Sequence, residues 1–297
     1  MRYVLACLLL GVMGCQGAGC PGVAPRFAVS KVTRARTAND VTTTRIHELT
    51  YSDALTLAGR ELESGRFERS STNGNDSRDA DLTFEYDQGR LTRVDQRSEH
   101  DELDATTDYL YTDRDQLKKV EIDSGEGGIV DVDIECFYDD GGRLEMLTYS
   151  WAWWILRENE RADVTYSDDG YIRDLDGDDV FVRFTWEEGL LERVEVQRDG
   201  SGDDPDYRLS YQDGRLERVE DDDDDWSLTY DDAGRLQRID ADAGGYEETV
   251  EYEYTDGSLQ GVRVAPRLPL FVNWVIGLDG RPLTDIDVLA LPDYFTD

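Results

Sequence analysis

The sequence predicts an all-β protein: about ten repeated antiparallel β-hairpins forming one coiled or curved meander sheet. Three observations carry that expectation. A turn phrase recurs along the chain, as "YDQGRLTRVD" at 86–95, "YDDGGRLEML" at 138–147, "YQDGRLERVE" at 211–220 and "YDDAGRLQRID" at 230–240. The residues before each turn alternate apolar and polar, as in Leu82-Thr83-Phe84-Glu85-Tyr86 and Leu228-Thr229-Tyr230, which is the period of a half-buried strand. No segment sustains a helical period.

Ten units align on the residue that closes each turn: Phe67, Leu91, Leu117, Leu144, Ile172, Leu191, Leu216, Leu236, Leu259 and Leu283, at spacings of 19 to 28. In eight of the ten a glycine stands two places earlier, the mark of a backbone position with φ > 0. Asp-Gly pairs such as Asp213-Gly214 are strong hairpin signals. On the return strand the apolar residues stand three apart, Leu91 with Val94 and Leu236 with Ile239. Strict alternation forbids that spacing, and a bulge just after the turn restores it. Each phrase therefore encodes a bulged hairpin with an aromatic ring and a Leu buried at its tip. A flat sheet of this size with one bare apolar face would aggregate, so it must coil, close or fold over. The last segment, from about residue 266, is rich in apolar residues and Pro and is expected to cap the 46–297 β domain.

The phrase resembles the RHS/YD-repeat family, whose unit is a Tyr-Asp turn followed by Gly-Arg-Leu. The match covers about residues 46–285. It departs from the pattern at Trp186-Glu187, where Tyr-Asp is replaced. The resemblance implies a spiralling antiparallel sheet, cell surfaces, carbohydrate binding and shells around secreted toxins. This chain is too short to enclose a cargo, which leaves an accessory or remnant of a YD-repeat toxin system as a secondary expectation.

The first residues, "MRYVLACLLLGVMGC", hold one Arg, a short apolar run and then small residues, the layout of a secretory signal. The end of this stretch, Val12-Met13-Gly14-Cys15, resembles the lipobox of bacterial lipoproteins. That implies a signal peptide over 1–14, lipid on Cys15 and, with Gln16 following, an outer-membrane destination. Residues 15–45 are then expected to be a flexible basic tether, with Arg26, Lys31, Arg34, Arg36 and Arg45 against Asp40. Near an anionic membrane each such cation contributes about 1 kcal/mol of attraction. Cys20 and Cys136 remain for a disulfide in an oxidising compartment, too few for a framework.

With 67 acidic and 31 basic residues the formal net charge is −36. Such a polyanion repels nucleic acid, whose binding runs on Lys and Arg. Cationic partners, divalent ions or a salty medium fit it. "DLDGDD" at 174–179 offers Asp174, Asp176 and Asp178 as calcium ligands, but the sixth position lacks Gly and the twelfth lacks Glu. Turn chemistry alone also accounts for these aspartates. "SWAWWILRE" at 150–158, continued as one strand, points Trp154 into water as a platform for a sugar ring or a partner's apolar patch.

Catalytic motifs are missing, and His47 and His100 read as loop or edge residues. The sequence thus predicts a non-catalytic envelope lipoprotein without a cofactor, calcium aside. It would present a β-repeat scaffold to a glycan or envelope protein, with a structural, calcium- or salt-adapted envelope component as the alternative.

Overall fold

The computed structural model describes residues 27–256, apart from loop positions 57–58, 75–77, 88–89, 99–102, 115, 124–131, 154–155, 179, 199–205 and 244, together with Val272 and Ile276. The described strands are β1 Phe27–Ala38, β2 Val41–Thr56, β3 Gly59–Ser71, β4 Arg78–Asp87, β5 Arg90–Ser98 and β6 Leu103–Tyr111. They continue as β7 Leu117–Asp123, β8 Val132–Tyr138, β9 Leu144–Trp153, β10 Leu156–Tyr166, β11 Ile172–Gly177 and β12 Val180–Glu187. The series ends with β13 Leu190–Arg198, β14 Asp206–Gln212, β15 Arg215–Glu220, β16 Asp225–Tyr230, β17 Leu236–Ala243 and β18 Tyr246–Asp256.

Each strand pairs antiparallel with its neighbours in sequence, and β1 pairs with both β2 and β18. The eighteen-stranded sheet is therefore a closed barrel. This corrects the expected coiled or curved meander sheet of about ten hairpins. Closure removes both sheet edges and the unpaired N–H and C=O groups they would expose.

The strand that completes the ring lies in the stretch expected to be a tether. Residues 27–38 form β1, and Val41 onward forms β2. Apolar periodicity is weak there because inward positions carry Arg34, Arg45 and His47 where other strands carry Leu or Val. His47 is buried on β2 against Phe67, with ring centroids 4.9 Å apart, and so occupies neither a loop nor an edge.

Burial alternates along the strands, so each has a buried row and a solvent row. The buried rows join in one core that lines the inside of the wall. A round barrel of this strand number would hold an aqueous channel. Here Val182, Leu191, Val194, Leu216, Val219 and Leu236 are fully buried, so the lumen at their level is filled. Val272 and Ile276, beyond the last strand, belong to the same core.

The turns behave as the phrase predicts. At Asp213-Gly214 both residues have positive φ, 54° and 74°, the two-residue turn whose twist suits a hairpin. In the longer turns Gly142 N–H donates to Asp139 C=O and Asp139 N–H to Arg143 C=O, with the same pair of bonds at Asp231–Arg235. The register slips one residue beyond each tip, for example between Thr229 and Tyr230. Leu236 opposes Tyr230 while Arg238 opposes Thr229, which leaves Gln237 as the bulge and lets Leu236 and Ile239 both face inward.

The first unit departs from the pattern. Gly65 lies inside β3 opposite Leu49, and an added Cβ would sit 3.0 Å from Glu48 C=O. There the glycine serves close approach between strands, and Phe67 is buried in mid-strand. The chain also reverses between Trp153 and Leu156, which are partners across β9 and β10; the single strand expected over 150–158 is thus two strands.

Candidate functional site: the two faces of the barrel wall

Which residues of the phrase are available for chemistry follows from what each one touches. The tyrosine that opens one turn donates its hydroxyl to the backbone carbonyl of the Leu closing the previous turn. The distances are 2.9 Å for Tyr111 to Leu91, 2.6 Å for Tyr138 to Leu117, 2.8 Å for Tyr166 to Leu144, 2.7 Å for Tyr230 to Leu216 and 2.6 Å for Tyr254 to Leu236. Trp186 fills the same role with its indole Nε1–H, 2.6 Å from Ile172 C=O. The substitution that breaks the phrase therefore preserves the donor.

Arginine of Gly-Arg-Leu covers the next ring from outside. Arg143 lies 4.0 Å from the Tyr166 centroid and Arg235 4.8 Å from that of Tyr254, within cation–π range. Aspartate of the turn caps the loop, since Asp231 Oδ1 accepts from the N–H groups of Ala233 and Arg235 and Oδ2 from Arg235 Nε. These contacts hold its carboxyl below the ordinary carboxylate range against the opposing cost of burial. Tyr, Asp, Arg and Leu of the phrase are thus engaged in linking one hairpin to the next.

The outer wall carries a second repeated device. Arg93 and Asp95 on β5 face Asp108 and Thr106 on β6. Arg93 Nε donates to Asp95 Oδ1 at 2.6 Å, Thr106 Oγ1 donates to the same oxygen at 3.2 Å, and Arg97 reaches Oδ2. On β17 and β18, Arg238 and Asp240 face Glu251 and Thr249 in the same square. Arg193–Asp206, Arg218–Asp225 and Lys119–Asp133 bridge other strand pairs. An Arg-x-Asp/Glu dyad stands two residues after Leu91, Leu191, Leu216 and Leu236, with Lys119-Val120-Glu121 in its place after Leu117, so it is visible in the sequence. Apolar spacing reports only the inward positions, and this dyad occupies the outward ones.

The proposed calcium ligands lie on this same wall. Asp174 is partnered across strands by Arg183. Its oxygens accept from Arg183 Nε at 2.9 Å, Arg173 Nε at 2.8 Å and Thr165 Oγ1 at 3.1 Å. Burial raises its pKa and these donors more than reverse the effect, for a net lowering. Asp176 and Asp178 are exposed nearby. Among the described residues no cluster of three potential ligands has metal-binding geometry. Cys15 and Trp154 lie outside the described residues. Cys136 is a buried free thiol, pushed up to about 12 by desolvation.

A wall of this kind faces water. A membrane-spanning barrel needs an outward apolar band about 25 Å tall, whereas these strands place Arg, Asp, Glu and Thr outward at mid-length. No described helix is long and apolar enough to cross a membrane.

No family model and no curated protein matches the chain. Among solved structures it is similar to a porin-like protein from Bacteroides uniformis, at 14% identity and a TM-score of 0.42, over 78% of this chain and 99% of that one. It is also similar to TcdB2-TccC3 without its hypervariable C-terminal region, a complex of the RHS/YD-repeat type, at 13% identity and a TM-score of 0.28. That match covers 69% of this chain and 13% of the other. The intact TcdB2-TccC3 gives 12% identity and a TM-score of 0.26, over 83% and 17% respectively. The chain thus spans less than a fifth of the toxin-complex chains.

Proposed function

We propose that the protein is a water-facing, lipid-tethered barrel of a bacterial envelope that acts as a non-catalytic binding scaffold for a glycan or protein. The observation that carries this reading is the division of labour in the wall. The inner face and the turn phrases hold the barrel together, and the outer face is a polar, ion-paired surface left to solvent and partners.

Strand β1 begins and β18 ends at the same rim, since Phe27 and Asp256 are partners. A chain that carries lipid on Cys15 approaches the barrel from that rim. The opposite rim, with the β15–β16 turn at Asp221–Asp224, then points away from the membrane. Among the described residues the outer wall also carries two exposed large apolar side chains, Leu110 and Phe137, on β6 and β8, where a partner's apolar group would find contact. The YD-repeat kinship and the outer-membrane destination belong to the same proposal.

The test joins anchoring and recognition. Cys15→Ser is expected to abolish palmitate labelling and release the protein from membranes; continued labelling would remove the anchor. A glycan array and an envelope pull-down with the full mature chain are expected to retain a ligand. That ligand should be lost when Leu110 and Phe137 are both changed to Ser. Empty results in both assays would overturn the scaffold in favour of a structural envelope component.

A further inference from the structure

The turn phrase sets a guanidinium over the ring that opens the next turn. Arg90 lies over Tyr111 at 5.6 Å, Arg143 over Tyr166 at 4.0 Å, Arg215 over Tyr230 at 6.0 Å and Arg235 over Tyr254 at 4.8 Å. Two neighbouring turns break this rule. Gly170-Tyr171-Ile172 and Gly189-Leu190-Leu191 stand where other units have Gly-Arg-Leu. Tyr171 takes the guanidinium's place over Trp186, with the rings stacked 4.7 Å apart at 20°. Trp186 packs against the core and is tied to Ile172 C=O, so Tyr171 is the outer ring of the pair. Its backbone is fixed, since Ser167 N–H donates to Tyr171 C=O at 2.8 Å and Tyr171 N–H donates to Ser167 Oγ at 3.2 Å. A Cβ built on Gly189 would stand 3.0 Å from the Tyr171 hydroxyl, so the 187–190 turn borders the same ring. Charge around the stack is of one sign. Turns 87–90, 112–116, 139–143, 212–215 and 231–235 each hold an arginine, whereas 167–171 and 187–190 hold neither Arg nor Lys. Asp168, Asp169, Glu187 and Glu188 are exposed, and among the described residues none of the four has an ion-pair partner.

We propose that the Tyr171–Trp186 stack, with these four carboxylates, docks an arginine side chain presented by a basic partner protein. The barrel itself argues for that occupant, because it covers the equivalent rings with guanidinium groups wherever its own turns supply one. A planar guanidinium lies flat on an aromatic face while its N–H groups fork to carboxylates, and a compact ammonium does this less well. A neutral sugar would meet the ring but leave the carboxylates unanswered, and an anion would be repelled. The stack sits on the rim where β1 begins and β18 ends, since β10 and β12 end there too. Naming a basic partner for this rim rests on the scaffold role.

The test is an NMR titration of the full mature chain with the capped peptide acetyl-Gly-Arg-Gly-amide, followed at the Trp186 indole Nε1–H. A saturable shift is expected, weaker with Lys in place of Arg and absent with Gln. Tyr171→Ala should weaken binding roughly five-fold, the scale of one cation–π contact. Tyr171→Arg restores the phrase and supplies the guanidinium internally, so it should raise the melting temperature and abolish the shift. Asp168→Asn with Asp169→Asn should weaken binding, whereas Asp222→Asn with Asp223→Asn, an equal change of charge on the opposite rim, should not. Equal weakening by the two pairs, or a shift that never saturates, would show general attraction to a polyanion and overturn the docking site. An unchanged shift in Tyr171→Arg would overturn it as well. A saturable shift with glucosamine and none with the arginine peptide would give the stack to a glycan instead. The titration involves neither lipid nor Leu110 and Phe137, so its failure and that of the scaffold reading are separable.

Discussion

Tyr230 does two jobs at once: its ring packs against the core and its hydroxyl ties its own hairpin to the previous one through Leu216 C=O. Burial makes such a hydroxyl hard to ionise. Desolvation pushes Tyr111 up to about 12, with Arg90 opposing, and drives Tyr254 higher still. A folded pKa above the unfolded value of about 10 contributes stability that is complete below pH 10 and is lost as pH rises toward the folded value. Absorbance titration is therefore expected to show these tyrosines resisting ionisation until the barrel unfolds. Tyr230→Phe should cost about 1 kcal/mol, the worth of one hydrogen bond with the ring retained. Leu236→Ala, which empties a fully buried site, should cost about 2–5 kcal/mol. Chemical denaturation of both variants checks the ratio. At Asp174 both carboxylate oxygens are already held by arginines, so calorimetry with CaCl2 is expected to show no saturable heat.

At the scale of the hairpin, the outer-wall squares add electrostatic cross-links between strands. Their strength follows burial. Asp95 is 7% exposed and accepts from three side chains, so Asp95→Ala leaves Arg93 and Arg97 without that partner in a partly desolvated site and should cost about 1–3 kcal/mol. Asp240 stands in the same motif with far more solvent around it, and its loss should cost under about 1 kcal/mol. Asp95, Asp174, Asp206, Asp231 and Asp240 all have lowered pKa values. Groups depressed in the folded state contribute stability above the unfolded pKa near 4, and that stability drains as pH falls through their folded values. Asp108, raised by burial, works in the opposite sense. The melting temperature is expected to hold from neutral pH to about 5 and fall below about 4; a flat profile to pH 3 would show that the squares contribute nothing.

Closure belongs to the whole molecule. The β1–β18 pairing joins residues more than two hundred positions apart, and only that pairing turns a ribbon of hairpins into a barrel. A chain beginning at residue 46 lacks β1 and the start of β2, and so exposes β18 and the remainder of β2 as new edges. Such edges template association. The shortened chain is expected to aggregate or dimerise where the full chain is monodisperse, as size-exclusion chromatography would report.

The hairpins were legible in the sequence because their causes are local. A glycine at positive φ, an aromatic two strand positions from its partner and a bulge that restores inward parity all lie within about a dozen residues, so Tyr230 to Ile239 encodes its own geometry. The tyrosine-to-leucine ties were hidden only by distance, since they join one unit to the next. The fate of residues 27–45 was not legible at all. Their inward positions hold arginine, and a strand whose buried row is charged looks like a linker until its neighbours are known. Sequence by itself determined the repeating unit, the twist of its turns and the polarity of the two wall faces. Tertiary structure alone decided that the sheet closes and which charges are enclosed, because both depend on contacts between distant strands that no local pattern records.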